Sequence, residues 1–200
     1  GGAEGMSGAV ILAARMALMA GAGRVFAGFA GPVPAYDSLH PELMCRCGDD
    51  LDPDHGVIVI GPGLGLSRQA HDLLGRALSD APALVIDADG LNLIAAESPL
   101  QARLANRKGP SLLTPHPLEA ARLLGTHVHA VQSDRLGSAN ALADRYHATV
   151  ILKGSGSIIA HPGDIPVINA TGNPALATAG SGDVLAGLCG ALLAQGWPVR

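Results

Sequence analysis

Short apolar runs recur along the 200-residue chain and alternate with stretches of helical period. Val57–Ile60, Leu84–Asp87, Ser111–Thr114 and Thr149–Leu152 are too continuously apolar for one wet face, so each predicts a strand buried in a parallel sheet. Between them, the spacing predicts a helix capped near Ser67, another from Leu91 onward, and a third ending at Leu124. A fourth runs over Gln132–His147, where Leu136, Ala139, Leu142 and Ala143 share a face. Upstream, Ser7 reads as the N-cap of a helix over Ala9–Ala20 that is apolar on nearly every face except Arg15, as a helix in a core or an interface is. Gly21 and Gly23 end it, and Arg24–Phe29 reads as a strand. Residues 31–55, rich in Pro, Asp and Gly, read as one long irregular surface loop, with a lid or an oligomer contact as the alternatives. Ile158–Ile159 and Pro166–Ile168 read as short hairpin-like strands. The alternation predicts an α/β fold, a doubly wound, mostly parallel sheet with helices on both faces, in one domain over 1–200.

The strand ends carry the candidate chemistry. Val57–Ile60 feeds Gly61-Pro-Gly-Leu-Gly65, which is not the dinucleotide fingerprint because Pro62 and the spacing break it. A Gly-rich turn after a buried strand nevertheless sits where ligands bind in open α/β sheets, with a plain tight turn as the alternative. Asp87-Ala-Asp89-Gly-Leu-Asn92 follows the next strand, its acids being either functional or caps for the helix. In Thr114-Pro-His-Pro117 two prolines hold His116 rigidly at a strand end. Thr149–Leu152 ends at Lys153-Gly-Ser-Gly-Ser157, a turn suited to a nucleotide phosphate or ribose, or simply an ordinary hairpin turn. His127 and His129 read as exposed loop residues without a role.

One stretch stands apart. Asn169–Gly187 is dense in Gly and small residues, carries the single acid Asp183, and runs into an apolar helical pattern. Gly180, Ser181 and Gly182 let the backbone bend sharply. A helix starting near Asp183 aims its free N–H groups and positive dipole end at that bend, making an anion site. A carboxylate there would repel the anion. Asp183 is therefore either a base aimed at a hydroxyl beside a phosphoryl group, or a cap of the helix.

Composition narrows the classes. A formal net charge of −4 offers no basic footprint for nucleic acid. Charged residues make up only 15%, which leaves room for subunit contacts, and aromatics only 2%, which predicts an Ala/Leu/Val/Gly interior. Of three cysteines, Cys45 and Cys47 form a pair in a polar loop with no second pair to complete a zinc site, and no metal site is expected from the side chains alone. No apolar run is long enough to span a membrane and no signal peptide is visible, so the chain reads as cytoplasmic. Its first eight residues look like a loop cut from a preceding strand.

Taken together, Gly61–Gly65, Asp87–Asn92, Thr114–Glu119, Leu152–Gly156, Thr171-Gly-Asn-Pro and Gly180-Ser-Gly-Asp183 resemble, in order, the motifs of the ADP-dependent NAD(P)H-hydrate dehydratases. That carbohydrate-kinase-like family has the ribokinase-like fold. Leu118 stands where Gly is usual, and Ala179-Gly-Ser where Gly-Gly-Thr is commoner; neither change removes a key group. The resemblance implies a nicotinamide-cofactor repair lyase that uses ADP (ATP in eukaryotic relatives) with Mg²⁺ to restore NADH and NADPH from their hydrates, NADHX and NADPHX, releasing AMP and phosphate. It implies Asp183 as the base, and Gly180, Ser181 and Gly182 as the anion hole. Lys153, Gly154, Ser155, Gly156, Ser157 and Gly182 would hold the AMP part. Ala9, Gly63, His116 and Asp183 would line the hydrate pocket. It further implies a homotetramer, and a strand before Gly1 and helices after Arg200. Two alternatives stay open: a small-molecule kinase of the same fold, and a nucleotide-binding module without catalysis.

Overall fold

The computed structural model describes residues 1–199 and contains two sheets. The smaller pairs β1 (Phe26–Phe29) with β2 (Met44–Cys47) in parallel. The larger has six strands in chain order: β3 (Val57–Ile60), β4 (Ala83–Ile86), β5 (Ser111–Leu113), β6 (Thr149–Leu152), β7 (Ile158–Ala160) and β8 (Val167–Ile168). The first four are parallel, and β7 and β8 add as an antiparallel hairpin-like edge. Residues Gly1–Ala3 join the two sheets: Gly1 bonds Gly28 and Ala30 on one side, while Gly2 and Ala3 donate to the Pro62 and Gly63 carbonyls on the other.

Helices cover both faces. α1 (Ser7–Met19) precedes the sheets. Between strands come α2 (Arg68–Asp80), α3 (Ala88–Ala96), α4 (Ser98–Ala105), α5 (Pro117–Leu124), α6 (Val128–Ser133) and α7 (Arg135–Tyr146), and α8 (Ser181–Ala194) follows the hairpin. The side-chain alternation of each strand sorts the core into two layers. Ile60, Leu84, Ile86, Leu113, Val150 and Leu152 pack under α2 to α7. Val85 and Leu112 point the other way, against Ala186 and Cys189 of α8. Each fully buried Leu or Ile contributes about 1.5–3 kcal/mol. Thus both faces of the central strands are covered, which explains their unbroken apolar runs.

The structure corrects several expectations. Residues 31–55 are not one loop, because Met44–Cys47 forms β2 and pairs with β1; Cys45 and Cys47 lie on that strand, and both are free thiols. Arg15 of α1 pins the loop between β1 and β2 through two 2.6 Å bonds to Asp37. Ser7 is the first helical residue, and Met6 takes the N-cap position with no side-chain bond. Ser67 does cap α2, accepting from the Ala70 amide. The expected helix over Gln132–His147 is two, split at Asp134, whose carboxylate caps α7 by accepting from Gly137. His127 is the N-cap of α6 through Nδ1, and His129 lies within that helix. The helix α4 carries no pattern strong enough to announce it. Among the described residues no helix is long and apolar enough to cross a membrane.

The tightest inter-helix contact is the crossing of α1 over α8. A β-carbon on Gly187 would overlap the Ala13 carbonyl oxygen, so the two backbones meet where only glycine fits. Gly187→Val is expected to destabilise the fold by about 1–3 kcal/mol or more through overpacking, read as a lower denaturation midpoint. An unchanged midpoint would mean that the helices do not approach so closely.

Candidate active site at the carboxyl ends of the parallel strands

Backbone hydrogen bonds stitch successive strand ends into one edge. The Asp87 amide donates to the Ile60 carbonyl, Thr114 to Ile86, and Lys153 to Pro115, at 3.1, 3.1 and 2.8 Å. Just beyond β3, the Gly65 amide donates to Asp89 Oδ2 at 2.9 Å, tying that turn to the start of α3. The four strand ends therefore hold fixed positions relative to one another, at the edge where ligands bind in open α/β sheets.

Charge gathers on this edge. Lys153 Nζ lies 2.6 Å from Asp87 Oδ1 and 3.9 Å from Glu119 Oε2, and both carboxylates are buried. Asp87 is thus the positional N-cap of α3, yet its side chain serves Lys153 and not the helix. Burial pushes the Glu119 carboxyl up, against the pull of Lys153. His116 and Glu119 close a capping box at the start of α5: Nδ1 accepts from the Leu118 and Glu119 amides at 3.1 and 3.2 Å, and Glu119 Oε2 accepts from the His116 amide at 2.7 Å. Those bonds assign the neutral ring's proton to Nε2, which stands 3.2 Å from Glu119 Oε1.

The start of α8 closes over this cluster. Gly180, with φ 85°, takes the left-handed conformation that begins the helix, and Asp183 falls in the first turn without capping it. The amides of Gly182 and Asp183 donate to no carbonyl among the described residues, so they remain open at the positive end of the helix. A β-carbon built on Gly182 would lie 3.5 Å from Lys153 Nζ and 3.7 Å from Asp87 Oδ2, which measures how near the helix comes to the ion pair. Burial and then the neighbouring Asp87 raise the Asp183 pKa, while Lys153 works in the opposite direction. On the far side Ala9 meets the Gly63 turn, where a β-carbon on Gly63 would stand 3.0 Å from Ala9 Cβ, and Leu12 of the same helix packs on Gly180.

The sequence-predicted residues therefore share one edge. Asp183, Gly182, Lys153 and His116 converge through the Asp87 and Glu119 carboxylates, and Ala9 and Gly63 adjoin them by way of α1. Gly154 and Ser155 are exposed, and Gly156, Ser157, Gly180 and Ser181 are half-buried. Sequence reasoning left Asp87 undecided between a functional acid and a cap, and it assigned nothing to Glu119 or Arg135. A signal for Glu119 existed, since His116-Pro-Leu-Glu119 has the capping-box spacing with His in the cap position. For Arg135 there was none, because its partners lie about twenty residues downstream.

A family model described as NAD(P)H-hydrate dehydratase matches residues 1–199. The chain belongs to the NAD(P)H-hydrate dehydratase family. The ADP-dependent (S)-NAD(P)H-hydrate dehydratase of Neisseria meningitidis is 44% identical over 206 aligned positions, which take in 100% of the chain and 69% of that protein. The bifunctional NAD(P)H-hydrate repair enzyme of Coxiella burnetii is 44% identical over 202 positions, covering 98% of the chain but 40% of that protein. Thus the chain spans less than half of that relative. Among solved structures, the ADP/ATP-dependent NAD(P)H-hydrate dehydratase of Bacillus subtilis, crystallised with ATP and Mg²⁺, superposes with a TM-score of 0.76 at 28% identity, over 96% of this chain and 72% of that one. A ribokinase-like superfamily protein from Enterococcus faecalis superposes at 0.81, also 28% identical, over 98% and 69%. The fold is ribokinase-like.

Removing one partner of the Lys153–Asp87 pair leaves a buried charge unmatched. Lys153→Met should cost about 3–5 kcal/mol of stability, whereas the double variant Asp87→Asn/Lys153→Met should recover much of that loss. Two single losses that simply add, measured by chemical denaturation, would contradict a coupled pair.

Proposed function

We propose that this chain catalyses the ADP-dependent dehydration of the S epimer of NADHX and NADPHX, returning NADH and NADPH with release of AMP and phosphate. The observation that carries the proposal is the coincidence, in a chain of the dehydratase family, of the part-buried Lys153–Asp87 pair with the open amide end of α8 and the half-buried Asp183. In this reading Asp183 removes the proton of the ring hydroxyl as its oxygen bonds the β-phosphorus of ADP. The phosphorus–oxygen bond to AMP breaks, and AMP leaves with that electron pair. The open amides of Gly182 and Asp183 and the Lys153 ammonium stabilise the charge on the transferred phosphoryl group. The ring nitrogen then expels phosphate from the neighbouring carbon, and loss of a proton from the next carbon restores the dihydronicotinamide. The AMP part lies on Lys153–Ser157 and Gly182, and the hydrate lies among Ala9, Gly63, His116 and Asp183.

Mg²⁺ fits this donor set as a companion of the nucleotide. Three carboxylates, Asp87, Glu119 and Asp183, surround one ammonium, so ADP needs positive charge besides Lys153. Yet among the described residues these acids do not form a tight ligand cluster, and the one grouping that does, Asp52, Asp54 and His55, is exposed and remote in sequence. An ion that keeps several waters and binds mainly through phosphates suits such a site, with one of these carboxylates as an added ligand; when bound it neutralises phosphate charge.

The proposal extends to one dehydratase domain acting as a homotetramer in the cytoplasm. Exposed Ile165, Val167, Ile168 and Leu176, clustered at the β8 edge and the arm that follows, are apolar surface suited to a subunit contact. Three free thiols agree with a reducing compartment.

Incubation with NADPH hydrate and ADP should restore absorbance of the reduced nicotinamide. No recovery would sink the dehydratase reading, and a stable phosphorylated hydrate would favour a kinase. Because Asp183 must be ionised to accept a proton, and its pKa is raised, turnover should fall on acidification at a pH above that of an ordinary carboxylate. Asp183→Asn should abolish turnover while ADP binding stays nearly intact; wild-type rates in that variant would refute the base assignment. Asp87→Asn removes the repulsion and frees Lys153 to act on Asp183, so it should move the acid limb to lower pH.

A further inference from the structure

We infer that Arg135, a residue outside the proposed ligand contacts, is the positioning residue of the nucleotide turn: its guanidinium turns the carbonyls of Lys153–Ser157 inward so that the amides face the anion. The inference rests on the ADP reading above and concerns how that turn is built.

Asp134 caps α7 and fixes Arg135 as its first residue. From there the guanidinium crosses to the end of β6. Nη1 donates to the Ser155 carbonyl at 2.5 Å, and Nη2 to the Leu152 and Lys153 carbonyls, both at 3.3 Å. Two other carbonyls of the turn are also occupied. Gly154 accepts from Ser157 Oγ at 3.1 Å, and Ser157 accepts from the Asn169 amide at 2.8 Å. By contrast, the amides of Gly154, Ser155, Gly156 and Ser157 donate to no acceptor among the described residues. A turn whose carbonyls are consumed on one side and whose N–H groups are free on the other is an anion nest. Its sidedness follows from Arg135.

Two details support a role in shape over bulk stability. Arg135 Nε is buried without an acceptor among the described residues, an arrangement that costs stability and is tolerated where another demand sets the geometry. Gly154 has φ 146°, and a β-carbon there would lie 2.8 Å from Arg135 Nη2, so the turn and the guanidinium fit only with glycine between them.

The experiment compares Arg135→Ala and Arg135→Lys with wild type in ADP titration calorimetry and in steady-state kinetics. Loss of a multidentate charged contact should raise Kd and KM for ADP on the order of tenfold or more. KM for the hydrate, and kcat at saturating ADP, should stay within about twofold. Arg135→Lys, one point charge for three carbonyls, should restore only part of the affinity. Arg135→Ala binding ADP as wild type does would overturn the inference, as would equal losses for ADP and hydrate. Should Arg135→Ala fail to fold, Arg135→Lys carries the test, with partly weakened ADP binding supporting the inference and wild-type binding overturning it. Wild type that binds ADP but restores no reduced cofactor refutes the dehydratase reading and leaves the Arg135 result standing; wild type that binds no ADP refutes both.

Discussion

A lysine ammonium held between two buried carboxylates at the ends of parallel strands is the constraint around which this molecule is arranged. Desolvating Asp87 and Glu119 costs several kcal/mol per ion unless each charge is met at close range. Lys153 meets Asp87 at 2.6 Å, and it can do so only because its own amide is tied to the Thr114–Pro117 turn and Asp87 is tied to β3. The pair thus fixes the relative heights of β4, β5 and β6, and the glycines of α8 let a helix N-terminus come down onto it without a side chain in between. The same arrangement that costs stability when a partner is removed creates a place where an incoming anion finds an ammonium and open amides together.

That geometry also explains why an acid sits beside an anion site. Asp183 lies close enough to Asp87 and far enough from water to hold its proton more tightly than an exposed carboxylate does. A base with a raised pKa is a better acceptor for an alcohol proton than an ordinary carboxylate, and the neighbouring ammonium works against the rise. The helix-cap alternative falls because Gly180 begins α8 and Asp183 sits within its first turn.

Much of this was legible in the residues themselves. The apolar runs of β3 to β6 announce their strands because both faces are buried, and Ser67 and Pro117 mark helix starts by local chemistry. The ordered strand-end motifs assign Lys153, His116 and Asp183 to one edge of the sheet. What escaped depends on tertiary partners. Met44–Cys47 is a strand because β1 lies beside it, and nothing in Met-Cys-Arg-Cys announces that neighbour. The break at Asp134 is hidden inside a continuous amphipathic period, since a cap within a helical pattern looks like a surface residue. Asp87 stays undecided between a functional acid and a cap until Lys153, 66 residues away, is found against it. Nothing local marks Arg135, because its three carbonyl partners lie 17 to 20 residues downstream.

The central chemical claim is that phosphate leaves the nicotinamide ring carrying the oxygen that was the ring hydroxyl. The most direct measurement uses NADPH hydrate labelled with ¹⁸O in that hydroxyl, turned over with unlabelled ADP in ordinary water, with the released phosphate read by mass spectrometry. Phosphoryl transfer through Asp183 predicts one ¹⁸O atom in each phosphate formed alongside NADPH. Label appearing in water, with unlabelled phosphate, would show that ADP hydrolysis and dehydration are separate events and would contradict the mechanism.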